Sequence, residues 1–570
     1  MRPRRNNFNL SHRRNFTCGM GELIPILCEQ AIPGDTWSMS NEIVVRLQPM
    51  VVPIMHEIKC QTHYFFVPNR LLYPFTPLPS GAAAGETYWE SYIRQENLSS
   101  LSVSLPRFIP STPAQCGLYS LWDYFGFPVT NSIELPQTSG QVEGQDFFAP
   151  LDMPWRAYNL VYFQYYMDES VPLLQNENSL TSWTVRRRAW EKDYFTAARP
   201  QRQRGVPPAL PVSITPNVLG HPTTPNPRGN GLFQYAHWHP GTPRTPAVVS
   251  TTSVPQSFDL PPAPTQNMQV AAVANENYNQ NIARSGNTQA GIWLDDLVGA
   301  LQFNSQTFNI SDLRLAFQTQ KFLERNSRAG TRYTSFLRSH YGVSPSDARL
   351  NRAEYIGGTH QQVVISEVLQ TAPETSGNPD RPLGSMGGHG LAADGQFAGR
   401  YFVEEHGIII ALLSIMPKPG YQDGINRQWL YRSPIDFYFP ELAHLSEQGI
   451  YRAEITSRYS YPGYRDPRRD MEIFGFTGQY DEHRVKHDMV MSDMRLLNGA
   501  PVPATTPYWN LVRKFNTENV FLNPDFFACT PRTDPFLVDN IRHCIVNVQH
   551  NIKATRPMPV IAEPGLVDHF

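Results

Sequence analysis

Lysine is scarce in this chain. Of 48 basic residues only Lys59, Lys192, Lys321, Lys418, Lys486, Lys514 and Lys553 are lysines, which leaves 48 − 7 = 41 arginines. Arginine is favoured where a rigid fork must hold carboxylate, phosphate or backbone across an interface, and a biased genome composition gives the same count. Cysteine is sparse too: Cys18, Cys28, Cys60, Cys116, Cys529 and Cys544 form no C-x-x-C pair or other metal-ligand spacing. That argues against a structural zinc and for free thiols. No apolar run approaches the ~18 residues of a membrane-spanning helix; the longest, Gly407 to Met416, reads as a buried strand. The N-terminus lacks the hydrophobic core of a secretory signal, so synthesis in a reducing cytoplasm is expected. A net charge of −2 excludes a globally basic protein, and any contact with nucleic acid must be local.

Signatures of catalysis are lacking as well. There is no GxSxG or HExxH, and the glycine-rich Gly384-Ser-Met-Gly-Gly-His-Gly390 has no Lys-Ser/Thr after it, which excludes a phosphate loop. This stretch reads as a break between strands. Glu404-Glu405-His406 reads as the start of a strand, where adjacent carboxylates face opposite sides and do not converge as an acid/base pair. No catalytic residue, metal site or cofactor is expected.

What is present is strand. From Glu57 to Tyr64 polar and apolar residues alternate: Ile58, Cys60, Thr62 and Tyr64 point one way, Glu57, Lys59, Gln61 and His63 the other. Ile43, Val45 and Leu47 repeat the pattern, and Pro49 and Pro53 mark the corner between the two strands, because proline cannot donate to a sheet ladder. Further strands are expected over Leu23 to Glu29, Gln362 to Leu369, Arg400 to Met416 and Cys544 to Lys553, with a turn at Pro33-Gly34-Asp35. One solvated and one packed face marks an antiparallel sheet. Strands so far apart in the chain must pair, which predicts a mainly β fold: a single eight-stranded antiparallel jelly roll with very long inter-strand loops containing short helices. The 51 prolines and 37 glycines agree with extensive ordered loop, held by the core or by neighbouring subunits.

Helices are expected where aromatics recur at helical spacing. Gly117 to Phe127 ends at Gly126; Trp155, Tyr158, Tyr162, Tyr165 and Tyr166 form a packing stripe after Pro154. Ser311 to Arg325 and Thr331 to Tyr341 form two more, the first capped by Ser311, the second stopped by Gly342.

The chain divides by composition. Residues 1–20 form a basic arm in which Arg2, Arg4, Arg5, Arg13 and Arg14 precede the first acid, Glu22. Residues 21–198 and 291–570 carry the sandwich. Residues 199–290 are an insertion: fifteen of the seventy residues from Arg199 to Met268 are proline and only Asp259 is acidic, a bias that builds no core of its own. Within it Tyr235, His237, Trp238 and His239 form a contact cluster, the two histidines lacking a third ligand nearby.

Several stretches together resemble one family. Asn9-Leu-Ser-His12, Ile32-Pro-Gly-Asp35, His63-Tyr-Phe-Phe-Val-Pro68, Asp193-Tyr-Phe-Thr196, Asp312-Leu-Arg-Leu-Ala-Phe317, Glu354-Tyr-Ile-Gly-Gly358 and Pro564-Gly-Leu-Val-Asp-His569 are similar, in the same order, to the major capsid proteins of microviruses, above all the gokushovirus branch. The resemblance spans nearly the whole chain. It implies a jelly roll that self-assembles into a T=1 icosahedral shell around a circular single-stranded DNA genome, a virion component assembled in the cytoplasm of a bacterial host. It also implies that the insertion stands outward, where it meets a receptor on the bacterial surface, and that a small DNA-binding virion protein and a pilot protein are further partners. The arginine arm is the candidate for the inward contact with DNA, and it equally suits a clamp on a neighbouring subunit. Two other functions remain to be weighed, a jelly-roll enzyme acting on glycans and a single-stranded nucleic-acid-binding module; the first demands convergent carboxylates, the second a positive net charge.

Overall fold

The computed structural model describes residues 5–73, 89, 105–129, 149–167, 179–208, 216–218, 301–303, 310–330, 332–369, 386–443, 447–457, 459, 468–496, 509–515, 520–538 and 541–560. The chain divides into two compact units, Met1–Val206 with Phe322–Phe570, and Pro207–Lys321. In the second, Pro216–Val218 pairs with Leu301–Phe303 as a short antiparallel ladder.

Among the described residues nine strands build the main sheet assembly of the first unit: β1 (Asn6–Asn9), β2 (His12–Cys18), β3 (Ile24–Ala31), β4 (Thr36–Leu47), β5 (Ile58–Pro68), β6 (Glu354–Leu369), β7 (Met386–Phe402), β8 (Gly407–Pro417) and β9 (Cys544–Arg556). They occupy eight positions, since β1 and β2 share one edge of β9. The order β2-β9-β4-β7 forms one antiparallel sheet and β3-β8-β5-β6 the other. β6 joins them: its first part, through Val363, pairs with β5, and Val364–Leu369 crosses over to pair with Met386–Leu391 of β7. Apart from β1–β2 and the hydrogen-bonded β5 and β6, chain neighbours lie in opposite sheets, the connectivity of a jelly roll, as the strand pattern predicts.

Period-two burial makes the sandwich. Trp37, Met39, Ile43, Val45 and Leu47 of β4 and Val546, Val548 and Ile552 of β9 face inward from one sheet, and Ile58, Cys60 and Tyr64 of β5 with Ile409, Ala411, Leu413 and Ile415 of β8 meet them from the other. Two polar ties cross this core. The Asn41 amide donates to Thr62 Oγ1, Tyr64 Oη and Thr359 Oγ1 at 3.3, 3.1 and 3.3 Å, and His550 Nε2 donates to the Ile26 carbonyl at 3.0 Å. A buried amide left without such partners costs about 1–3 kcal/mol, so these groups fix how the sheets sit face to face.

The outer face of the second sheet is not solvated toward the end of β5. Phe65 and Val67, with Ile408, Ile410 and Leu412, are covered by a second apolar cluster, and β8 is buried along both faces, which explains its unbroken hydrophobic run. Two helices bring the cover. In α1 (Leu121–Phe125) Ser120 accepts the Asp123 N–H and Gly126 closes the helix at φ 90°. In α2 (Met153–Val161), continued by a wide turn to Tyr166, Trp155, Tyr158 and Val161 are fully buried, so the aromatic stripe is packing. Asp152 holds the start of α2 by accepting from Arg156 Nε and Tyr73 Oη, both at 2.6 Å.

Three readings need correction. Met386–Gly390 lies inside β7 rather than between strands: a Cβ on Gly388 would lie 2.7 Å from Pro53 Cα and one on Gly390 2.6 Å from Leu47 Cδ1, so glycine lets the β4–β5 corner sit directly on the strand. Arg400–Met416 is two strands, and Glu404–His406 is the turn between them rather than a strand start, with Glu405 taking the Arg70 guanidinium at 2.9 Å. Helix α3 runs Ile310–Ala329, so Ser311 lies within it; α4 (Tyr333–Tyr341) ends at Gly342, φ 70°, as predicted.

Candidate functional site

The arginines of the N-terminal segment are spread over two faces of a strand pair. Arg2 and Arg4 lie outside the described residues. Arg5 is exposed, its guanidinium 5.3 Å from the Phe402 ring centroid. From Asn6 to Cys18 the segment is β1 and β2, hydrogen-bonded along β9. Strand alternation then separates the last two: Arg13 is exposed and its Nε donates to Gln549, whereas Arg14 turns with Phe16 to the other side. Arg14 lines an open groove of about 890 Å³ with Phe16, Tyr119, Tyr124, Phe125 and Asn547. An arginine and aromatic side chains lining one groove is a combination that suits a phosphate beside a stacked base. Tyr235, His237, Trp238 and His239 lie outside the described residues.

Carboxylates do gather at one place. A cavity of about 330 Å³ is lined by Asp436, Glu447 and Glu482 together with Arg202, Arg427 and Tyr431. Each acid is already engaged. Glu447, its side chain fully buried, is bridged by Arg199 and by Arg328 Nε at 3.2 Å. Burial pushes its carboxyl pKa up and the two guanidinium groups pull it back. Glu482 accepts from Tyr431 Oη and Gln448 Nε2, and Asp436 accepts the backbone N–H groups of Arg432 and Ser433, which hold its carboxyl below the usual range against a desolvation that raises it. These acids knit loops together and are not poised as an acid and a base.

Arginine is spent on the same task elsewhere. The buried Arg513 guanidinium lies 4.1 Å from the Phe526 ring centroid and 5.2 Å from those of Trp190 and Phe515, and Nη1 donates to Tyr421 Oη at 3.2 Å. Part of the arginine excess therefore serves packing within one chain rather than a surface. All six cysteines are free. Among the described residues no three His, Cys, Asp or Glu stand together as a metal site, and no helix is long and apolar enough to cross a membrane.

Sequence reasoning passed over Asn426 to Ala443 as loop. Three single turns there, Arg427–Trp429, Pro434–Asp436 and Pro440–Leu442, display Trp429, Ile435, Phe437, Tyr438 and Phe439 to solvent. The signal in the sequence was a mostly apolar run closed at both ends by proline, Pro434-Ile-Asp-Phe-Tyr-Phe-Pro440, where neither end can donate to a sheet ladder.

A jelly-roll sandwich in which Asp436, Glu447 and Glu482 are tied into loops and apolar side chains stand exposed on ordered turns has the make-up of a structural protein. Comparison with known proteins agrees along the whole length. The family model described as capsid protein (F protein) matches residues 1–566, and the chain belongs to that family. It is 28% identical to capsid protein VP1 of Chlamydia phage 1 over 99% of this chain and 96% of that one. Likeness to capsid protein VP1 of Bdellovibrio phage phiMH2K is 28% over 94% and 90%, and to that of Spiroplasma virus 4 it is 25% over 99% and 95%. The chain is thus a capsid protein, a component of the virion and not an enzyme.

Proposed function

We propose that this chain is the major subunit of a T=1 icosahedral shell, assembled in the cytoplasm of a bacterial host, that encloses a circular single-stranded DNA genome. The observation that carries the reading is the match of residues 1–566 to a capsid family by a chain whose largest described core cluster lies within a jelly roll. The N-terminal arginines serve the interior: Arg2, Arg4, Arg5 and Arg13 meet phosphates, and Arg14 meets them at the mouth of its aromatic groove. The insertion 199–290, with Tyr235, His237, Trp238 and His239, faces the host receptor. A small DNA-binding protein and a pilot protein share the particle. A net charge of −2 and the engaged acids speak against the nucleic-acid module and the glycan-active enzyme.

The test is expression of the full chain with a single-stranded genome, followed by sedimentation, imaging and DNA quantification. Closed particles of sixty copies containing DNA are expected. Arg13→Ala with Arg14→Ala should lower DNA per particle and leave shell yield unchanged; unchanged DNA with poor assembly would instead make the strand pair a subunit clamp.

A further inference from the structure

The segment Asn426 to Ala443 is fixed from beneath and apolar above. The Arg427 guanidinium donates to the Gly449 carbonyl at 2.8 Å and to Glu454 at 3.0 Å, and lies 4.4 Å from the Tyr451 ring centroid. Asp436 closes the next turn through two backbone N–H groups. Tyr480, 2% exposed and held at φ 62°, places its hydroxyl 3.2 and 3.1 Å from the carbonyls of Ile435 and Phe437. On this base Trp429 is 74% exposed, Ile435 63%, Phe437 58%, Tyr438 53% and Phe439 46%.

Apolar side chains on a backbone that cannot turn them inward are a surface awaiting a partner. We infer that this ledge docks onto a second copy of the same chain within the shell, an inference that rests on the capsid reading. Three features favour a copy as the occupant. Exposed at these fractions, the five side chains offer roughly 600 Å², close to the ~800 Å² per partner of a standard stable interface. The turns are ordered before contact, so docking costs little conformational entropy. Between Trp429 and Phe439 the only charges are Arg432 and Asp436, which cancel, so nothing there attracts a phosphate backbone.

Oxidative labelling by hydroxyl radicals reads the contact directly, on wild-type particles and on the subunits released from them. Trp429 should be labelled at least fivefold less in the particle. Trp429→Ala with Phe437→Ala should give subunits with unchanged circular dichroism and an assembled fraction at least tenfold lower. Equal labelling of Trp429 in particle and subunit overturns the inference and leaves the shell reading intact, as does wild-type assembly of the double variant. Normal assembly with lost attachment to cells also overturns it and makes the ledge a host-facing patch. A wild-type chain that stays monomeric overturns the shell reading and this inference together.

Discussion

Replacing Trp155 separates what its ring contributes from what its N–H costs. The indole stacks on Phe108 with centroids 4.2 Å apart and planes 6° from parallel, lies 5.6 Å from Phe127, and meets Phe125 edge-on at 5.2 Å. Trp155→Ala empties that site, and a fully buried aromatic cut to alanine costs about 3–5 kcal/mol. Spread over an unfolding entropy of about 1.2 kcal/mol/K for a chain this long, a loss of about 4 kcal/mol lowers the melting temperature by roughly 3 °C. The indole Nε1 is buried without a hydrogen-bond partner among the described residues. Trp155→Phe therefore keeps most of the stacking and discards a donor whose desolvation costs about 1–3 kcal/mol, which offsets the smaller cavity. The expected shift for phenylalanine is within about 1 °C of wild type. Thermal unfolding of purified subunits, followed by circular dichroism, measures both. Should phenylalanine lower the midpoint as far as alanine does, the N–H is satisfied in solution and the reasoning fails.

Gly388→Ala drives a Cβ against Pro53 and should cost about 1–3 kcal/mol, seen as a lower urea midpoint; an unchanged midpoint would mean the corner moves freely. Glu447→Ala strands Arg199 and Arg328 and, with both cations partly solvated, should cost about 2 kcal/mol, read in the same denaturation. His550 is pushed down to about 4 by burial and then by the neighbouring His12. The unfolded chain takes that proton near pH 6.5, so the fold weakens by up to ~3 kcal/mol as pH falls from about 6.5 to 4, and this group adds no further loss below that. His550→Gln should flatten the acid limb of the midpoint-against-pH curve; an unaltered limb would remove His550 as its source.

While β1, β2 and most of β7 were not legible, several strands were, because one face is core and the other is not. Ile58 to Tyr64 and Cys544 to Lys553 show this, because period-two burial leaves its mark on residue choice. Legibility failed where a residue answers to something distant in sequence. The glycines before Leu391 look like a break because nothing local reveals Pro53 and Leu47 pressing on them. Glu404–His406 was absorbed into a strand because β8 is buried on both faces and has no alternation to mark its start. The N-terminal arginines read as one charged arm, since counting charge ignores the pleat that sends Arg13 and Arg14 apart. The aromatic ledge was the hardest to see: hydrophobic residues in a short proline-bounded run resemble core, and only the fold shows them facing out.

β9 lies between β2 and β4, although more than 490 residues separate it from either. A ribosome therefore releases the two flanking strands long before the one that zips them, and the growing polypeptide carries a gap down the middle of a sheet until translation is almost finished. Any product cut short before Cys544 presents two raw edges and an interior missing Val546, Val548 and Ile552. Only a completed chain closes the seam, so a prematurely ended copy is barred from the lattice by its own topology.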